Sequence, residues 1–348
     1  MCTAGGSFSS VSDRSCVTWT AIISGYAEKG NMEEALKLFN AMGAAGEKPD
    51  LITVLSVISG CGQTGVLEIG KWIDAYADSN CLKHNAIICN ALIDMYAKCG
   101  NIDDAWYIFT TMPDRTVVTW TTMIAGCALG GLFEVSLDLF NQMVYSGLKP
   151  NHITFLSVLQ ACTHGGFLEK GWECFNMMTE IYKINPGLDH YSCMVDLLGR
   201  KGKIKEAFEF VQAMPIKPDA AIWSSLLSSC KIYQNVQIGE YAAHRVIEME
   251  PHVSYPYVAL ANIYASAGRW NGVARIRTMM KNKRVIKSPG QSLLEINGKT
   301  HAFTVEDRGH YNGELIYDIL DCLVLQSKDD ETSQQLDSTL EHVLESIS

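Results

Sequence analysis

Along most of this chain apolar residues recur at spacings of three and four, and glycine or proline interrupts them at short, regular intervals. In residues 17–30 (VTWTAIISGYAEKG), Trp19, Ile22, Ile23, Tyr26 and Ala27 form one stripe, the signature of a helix with a single buried face. Gly30 ends that helix, because glycine readily accepts the left-handed backbone that closes a helix end. Asn31 then stands as an N-cap for a second helix, NMEEALKLFNAM, whose Ala35, Leu38, Phe39 and Met42 share a face. Gly46 and Pro49 stop it. Two short helices joined by a tight turn cannot bury both apolar faces between themselves. They need neighbours of the same kind, and stacking supplies them.

Those neighbours are written in the sequence. Residues 17–42 recur as VTWTTMIAGCALGGLFEVSLDLFNQM at 118–143, an offset of 101 residues with 14 of 26 positions identical. The same offset carries TVLSVISGCGQTGVLEIG (53–70) onto TFLSVLQACTHGGFLEKG (154–171). NALIDMYAKCGNIDDAWYIFTTMP (90–113) falls on SCMVDLLGRKGKIKEAFEFVQAMP (192–215) at an offset of 102. The chain is therefore a triplet of helical hairpins, repeated, and the fold it predicts is an all-α solenoid.

The repeats, with the unit endings MPDRT and MPIKPD and the segment NALIDMYAKCG, resemble the pentatricopeptide-repeat (PPR) family, in its plant subclass of alternating P, L and S units. On that resemblance the units are P at 16–50, L at 51–85, S at 86–116, P at 117–151, L at 152–187 and S at 188–219. Residues 220–287 resemble the family's E extension, two degenerate tetratricopeptide-like hairpins. Residues 288–325 resemble the short extension that follows it. Residues 1–15 look like the end of a preceding unit, so the sequence opens inside an array, and 326–348 form an acidic tail, disordered or helical. The implied fold is a right-handed superhelical α-solenoid of stacked antiparallel helical hairpins.

What the resemblance implies about function is base-by-base reading of single-stranded RNA, in which two or three side chains of each unit face one nucleotide. The fifth and last residues of each unit become the readers: Thr20/Asp50, Leu55/Asn85, Asn90/Thr116, Thr121/Asn151, Leu156/Gly187 and Ser192/Asp219. The family rule gives guanine for Thr20/Asp50 and Ser192/Asp219, adenine for Thr121/Asn151 and a pyrimidine for Asn90. Thr116 departs from the acid or amide usual in its place, and the leucines of both L units should discriminate little. Val17, Ile52, Ile87, Val118 and Ile153 would wedge between bases, a series that Asp189 breaks. A second reading of the same residues stands beside this one: Asp50, Asn151 and Asp219 each precede a helix, where an N-cap is expected anyway, and the two roles can coexist. Trp19, Trp120 and Trp223 sit next to the readers but read as core.

The formal net charge of −10 over 348 residues does not announce a nucleic-acid binder, yet residues 326–348 alone contribute −5 of it. Against that, Arg269, Arg275, Arg277, Lys281, Lys283, Arg284 and Lys287 place seven cations in 19 residues with no acid among them. Arg200, Lys201, Lys203 and Lys205 form a smaller cluster. Arg275, Arg277, Lys281, Lys283 and Arg284 are candidate contacts to phosphates or to a partner; a solvated helix face is the other reading. Twelve cysteines without a single Cys-x-x-Cys pair, most of them inside apolar helical stretches (Cys61, Cys99, Cys162, Cys230), read as small buried hydrophobes rather than a disulfide or zinc framework.

Longer relatives of the implied subclass end in a zinc-dependent cytidine deaminase of the DYW type. Such a site needs a His-x-Glu and a downstream Cys-x-x-Cys. Neither occurs here, and 25 residues after Leu323 are too few for that domain. The expectation is a non-enzymatic chain without metal or cofactor. It would specify sites of C-to-U editing in organellar transcripts and rely on a DYW-type deaminase and multiple organellar RNA editing factors in trans. The expected RNA order is G-n-Y-A-n-G-n-n-n-C, with Y a pyrimidine and the final C the edited base. Mitochondrion or chloroplast follows from the resemblance, since residues 1–16 carry no legible transit or signal peptide. The alternatives are an organellar RNA stability or splicing factor without an editing role, and a protein-binding scaffold of tetratricopeptide type.

Overall fold

The interrupted three-four spacing becomes a ladder of helical hairpins. In the computed structural model, which describes residues 15–287, 290–296, 299–304, 309 and 313–326, α1 (Cys16–Glu28) and α2 (Met32–Ala44) form the first hairpin. The second is α3 (Leu51–Thr64) with α4 (Leu67–Ser79), and the third is α5 (Ala86–Lys98) with α6 (Ile102–Thr111). Then come α7 (Val117–Leu129) with α8 (Phe133–Tyr145), α9 (His152–Gly165) with α10 (Leu168–Asn176), and α11 (Leu188–Arg200) with α12 (Ile204–Gln212). Two more hairpins follow the six units: α13 (Ala220–Ile232) with α14 (Val236–Met249), and α15 (Tyr255–Ser266) with α16 (Trp270–Asn282).

The turn inside the first hairpin needs Gly30. Its φ of 76° lies in the left-handed region, and its counterparts Gly131 and Gly202 take 78° and 74°. Asn31 caps α2 by accepting the Glu34 N–H at 3.3 Å, as its place in the sequence predicts. The first helices pack on one another in a row, α1 on α3, α3 on α5 and so on to α15, while each second helix packs on its own partner and on the first helix of the next hairpin. The core is the ribbon between these two layers. Trp19, Ile23, Ala27, Ala35, Phe39 and Met42 of the first hairpin are buried in it, and Ile22, Tyr26 and Leu38 sit half-buried at its margin. Edge-on aromatic contacts stitch successive hairpins: Phe39 on Tyr76, Phe109 on Trp120 and Phe140 on Phe155, with ring centroids 5.0, 5.0 and 5.5 Å apart.

The two L units solve their spacing differently. The first reaches its end through a single 3₁₀ turn, Leu82–His84. The second runs to 187, one residue longer, and absorbs the excess as a π turn, Met177–Ile181, in which the Tyr182 N–H reaches back five residues to the Met177 carbonyl at 3.1 Å.

The chain divides after Arg284 into two compact units. The second departs from the helix-only reading. It contains an antiparallel pair, β1 (Gln291–Ile296) and β2 (Lys299–Thr304), with Ile296 opposite Lys299 and Gln291 opposite Thr304, and a helix, α17 (Gly313–Gln326). The sequence between the paired ends is Asn297-Gly298, the dipeptide most favoured for a two-residue hairpin, so the strand pair had a local signal in the sequence. The expectations for residues 1–14 and 327–348 lie outside the described residues.

Candidate nucleic-acid interface

The second residue of five successive units projects from the first turn of its helix into solvent. Val17, Ile52, Ile87, Val118 and Ile153 are between 50% and 76% exposed. Large aliphatic side chains scattered singly over a surface mean little. Here they recur at one position of five stacked helices, which makes a row of apolar studs along one edge of the first-helix layer. Asp189, also exposed, ends the row as expected.

Beside each stud lie the fifth residue of the unit and, from the connection to the next helix, its last. Asp50, Asn85, Thr116, Asn151 and Asp219 are all N-caps: their side chains accept the N–H of Thr53 (2.7 Å), Ile87 (2.8 Å), Thr119 (3.4 Å), Thr154 (2.9 Å) and Ile222 (3.0 Å). Capping therefore operates at every one of these positions. Gly187 has no side chain to cap with, and His190 takes over: its Nδ1 accepts the Gly187 N–H at 3.1 Å and its Nε2 meets the His152 carbonyl at 2.9 Å. A carbonyl can only accept, so Nε2 carries the proton.

The fifth residues are placed less uniformly than the repeat suggests. Thr20 and Thr121 are only 8% and 7% exposed, tucked between α1 and α3 and between α7 and α9. Their hydroxyls are engaged. Thr20 Oγ1 lies 2.6 Å from Thr53 Oγ1, 2.9 Å from the Cys16 carbonyl and 3.4 Å from Asp50 Oδ1. Thr121 Oγ1 lies 2.6 Å from Thr154 Oγ1, which in turn donates to Asn151 Oδ1 at 3.1 Å. In these two units the fifth and last residues thus join into one polar cluster, through a threonine that the pattern of expected readers does not include. The signal was present, since threonine recurs third in its unit at Thr18, Thr53, Thr119 and Thr154.

Elsewhere the pairs are looser. Ser192 is half-exposed and no hydrogen bond joins it to Asp219 among the described residues. Asn90 is half-buried with its Oδ1 buried and unpartnered, and Thr116 turns instead to Thr119 in a capping box. Leu55 and Leu156 are half-buried; Leu55 lines, with Ile52, Ser24, Ser56 and Gln63, a cleft of about 300 Å³ between α1 and α3.

Electrostatics separates the two P units. Partial burial works to raise the Asp50 pKa, but hydrogen bonds from the Thr53 hydroxyl and amide, from Thr20 and from the Ile52 amide outweigh it and hold the carboxyl below its ordinary range. Further along, Arg277, Lys281, Lys283 and Arg284 are exposed on and just beyond α16 and form no ion pair among the described residues. Arg275 differs: it reaches Glu240 at 3.5 Å and the Tyr264 hydroxyl at 3.3 Å. In the smaller cluster Arg200 pairs with Asp196 (2.9 Å) and Lys203 with Glu206 (3.1 Å), which neutralises much of it.

Trp19, Trp120 and Trp223 are core residues, as expected. Cys61, Cys162 and Cys230 are fully buried and Cys99 half-buried, and burial pushes the thiols of Cys61 and Cys230 up to about 12. Among the described residues no group of histidine, cysteine and carboxylate side chains is arranged to hold a metal.

A row of helical hairpins with apolar studs and polar caps along one edge defines an α-solenoid repeat protein. Sequence-family comparison is specific: the PPR repeat family matches residues 14–63 and 115–164, the PPR repeat matches 87–117, 153–181 and 189–217, and the E motif matches 233–295. The chain belongs to the pentatricopeptide repeat family. Among Arabidopsis thaliana relatives, a mitochondrial pentatricopeptide repeat-containing protein is 58% identical over 94% of this chain and 50% of its own length. A chloroplastic one is 41% identical over 92% of this chain and 43% of its own. The chain thus spans about half the length of the curated relatives it matches. Among solved structures, the pentatricopeptide repeat protein PPR10 in complex with an 18-nt psaJ RNA element superposes with a TM-score of 0.66 at 19% identity, covering 82% of this chain and 43% of that one, which establishes the likeness of fold.

Proposed function

We propose that this chain binds single-stranded RNA in a sequence-specific way, in a mitochondrion or chloroplast, as a site-recognition factor for C-to-U editing that recruits a deaminase supplied in trans. The observation that carries RNA binding is the row of exposed aliphatic studs at one position of five successive units, with fifth and last residues that are both polar in three of them. Unpaired bases offer flat apolar faces to such studs and donor–acceptor edges to the caps. A scaffold for peptides has no need of either. The RNA-bound state of PPR10 and the organellar names of the relatives support the same reading.

The unpartnered Asn90 Oδ1 is compatible with the pyrimidine that the family rule gives there: uracil N3–H or cytosine N4–H₂, like any base donor, would satisfy a buried acceptor that is otherwise costly to leave unmade. The editing role rests on the E motif at 233–295, the exposed cations of α16 being the candidate surface for phosphates or a partner. The domain reading proposed with it is six units over 16–219, the E extension over 220–287 and the shorter extension over 288–325.

The test is equilibrium binding of the full chain to G-n-Y-A-n-G-n-n-n-C RNA and to a scrambled control. A preference for the ordered sequence supports base reading; equal affinity for both removes it. For editing, a plant lacking the gene should lose the C-to-U change at one organellar site whose upstream bases match that order. Normal editing with a shortened or unspliced transcript would point to the stability and splicing role instead.

A further inference from the structure

The two P units share a feature their partners lack, a threonine bridge whose short hydrogen bonds run in one direction. Asp50 has no proton to give. Its contact with Thr53 Oγ1 at 2.7 Å and the contact of Thr53 with Thr20 Oγ1 at 2.6 Å each need one proton, and the two hydroxyls supply two. Only one arrangement satisfies both: Thr53 donates to Asp50, and Thr20 donates to Thr53. The Cys16 carbonyl at 2.9 Å and Asp50 Oδ1 at 3.4 Å are longer contacts, and either can take the Thr20 proton only by leaving the 2.6 Å contact without one. Thr20 Oγ1 is left as an acceptor, next to a carboxylate that is also an acceptor. In the second P unit Asn151 Oδ1 is occupied by the amide of Thr154 (2.9 Å) and by its hydroxyl (3.1 Å), so the Asn151 Nδ2 is the group turned outward. Thr121 again donates to Thr154 and is left as an acceptor.

We infer that Thr53 and Thr154, the third residue of the following unit, are specificity-determining positioning residues that set the direction of hydrogen bonding in the readers Thr20/Asp50 and Thr121/Asn151. This rests on the RNA-reading proposal and deepens it. Two acceptors match guanine, whose N1–H and N2–H₂ are adjacent donors, and no other base offers that pair. An acceptor with a donor matches the N6–H₂ and N1 of adenine, whereas the two acceptors of the first pair would set one of them against adenine N1. Without the bridging hydroxyl, Thr121 loses the acceptor that holds its proton and can turn it towards a base, whereas Thr20 keeps the Cys16 carbonyl at 2.9 Å as a second acceptor.

Capping does not require the bridge. Asp219 caps α13 through the Ile222 N–H alone, and there the third residue is a buried isoleucine. The Ser192/Asp219 pair should accordingly prefer guanine less sharply than Thr20/Asp50, although its reader types call for the same base.

The experiment measures binding of the full chain to single-stranded RNAs of the order G-n-Y-A-n-G, varied at the nucleotide facing Thr20/Asp50 or Thr121/Asn151. Thr154→Val keeps the shape and should lower the adenine-over-guanine ratio at the second position by about tenfold, with the ratio at the other unchanged. Thr53→Val should lower the guanine-over-adenine ratio at the first position by less, because the Cys16 carbonyl still holds the Thr20 proton. Thr53→Ser, which keeps the hydroxyl, should retain the wild-type ratio. A wild-type chain indifferent to both bases overturns the RNA-reading proposal and this inference with it. Wild-type preferences that survive in both valine variants overturn the inference alone, as does a uniform loss of affinity with unchanged ratios, which marks a purely structural bridge.

Discussion

Asp50 is a helix cap, and on the proposed reading it is a base contact as well. The hydrogen bonds that cap α3 leave the carboxylate exposed and lower its pKa below the ordinary 3.8. A depressed carboxyl contributes its stability and its acceptor character above the unfolded value, and both are lost as pH falls through the folded one. Guanine preference at this nucleotide should therefore be flat from neutral pH to 4 and decline only below 3.8, as a pH series of binding ratios would show. Replacing the acceptor should recode the position. Asp50→Asn makes the pair match Thr121/Asn151 and should move preference from guanine to adenine, while Asn151→Asp should do the reverse, each by roughly 1–3 kcal/mol by analogy with bidentate base recognition. Fluorescence anisotropy with four RNAs differing at that base decides it. If each variant keeps the wild-type base, the pairing of residues to units is wrong. The identities of these residues and their periodic position were legible in the sequence. That Thr20 and Thr121 lie buried with their hydroxyls spoken for was not, because their third partner comes from a helix some thirty residues further on.

At the scale of the element, the repeat is a compromise between a core that wants apolar residues and an edge that spends some of them on solvent. Val118 is more than half exposed, so its apolar character contributes little to folding. Val118→Asp should leave the thermal midpoint nearly unchanged, yet weaken RNA binding, since a charge beside the phosphates replaces a surface on which a base rests. An equal loss of stability and affinity would make the stud a core residue. Gly30→Ala has the opposite profile. Its φ of 76° strains any L side chain, and an added Cβ would meet Thr64 Cγ2 at 3.2 Å, so the urea midpoint should fall by an amount equivalent to about 1 kcal/mol or more. Helices and their turns followed from spacing alone because both depend on neighbours three or four residues away. The β1–β2 pair lies outside that spacing: its local signal is the single dipeptide Asn297-Gly298, and the rest of it is pairing between two strands.

For the whole molecule, net charge and local charge point in opposite directions. A chain of net charge −10 can bind a polyanion only through a face that carries its cations unpaired, and α16 with its flank is such a face. Replacing Arg277, Lys281, Lys283 and Arg284 together by glutamine should flatten the dependence of log affinity on log salt by roughly 0.7 for each phosphate no longer neutralised, with base preference unchanged. An unaltered slope assigns these cations to solvent or to a protein partner. The buried thiols make a separate prediction about the intact fold. Iodoacetamide at neutral pH should label exposed Cys81 long before Cys61 and Cys230, whose thiols stay protonated up to about 12.

The sequence by itself determined the hairpins, their count within each triplet and the family, because a repeated local pattern is its own alignment. Tertiary structure alone decided which residues of successive hairpins touch one another. Stacking brings Thr53 against Thr20 and Thr154 against Thr121, pairs 33 residues apart along the chain, while Thr53 and Thr154 each also hold the cap three residues before them.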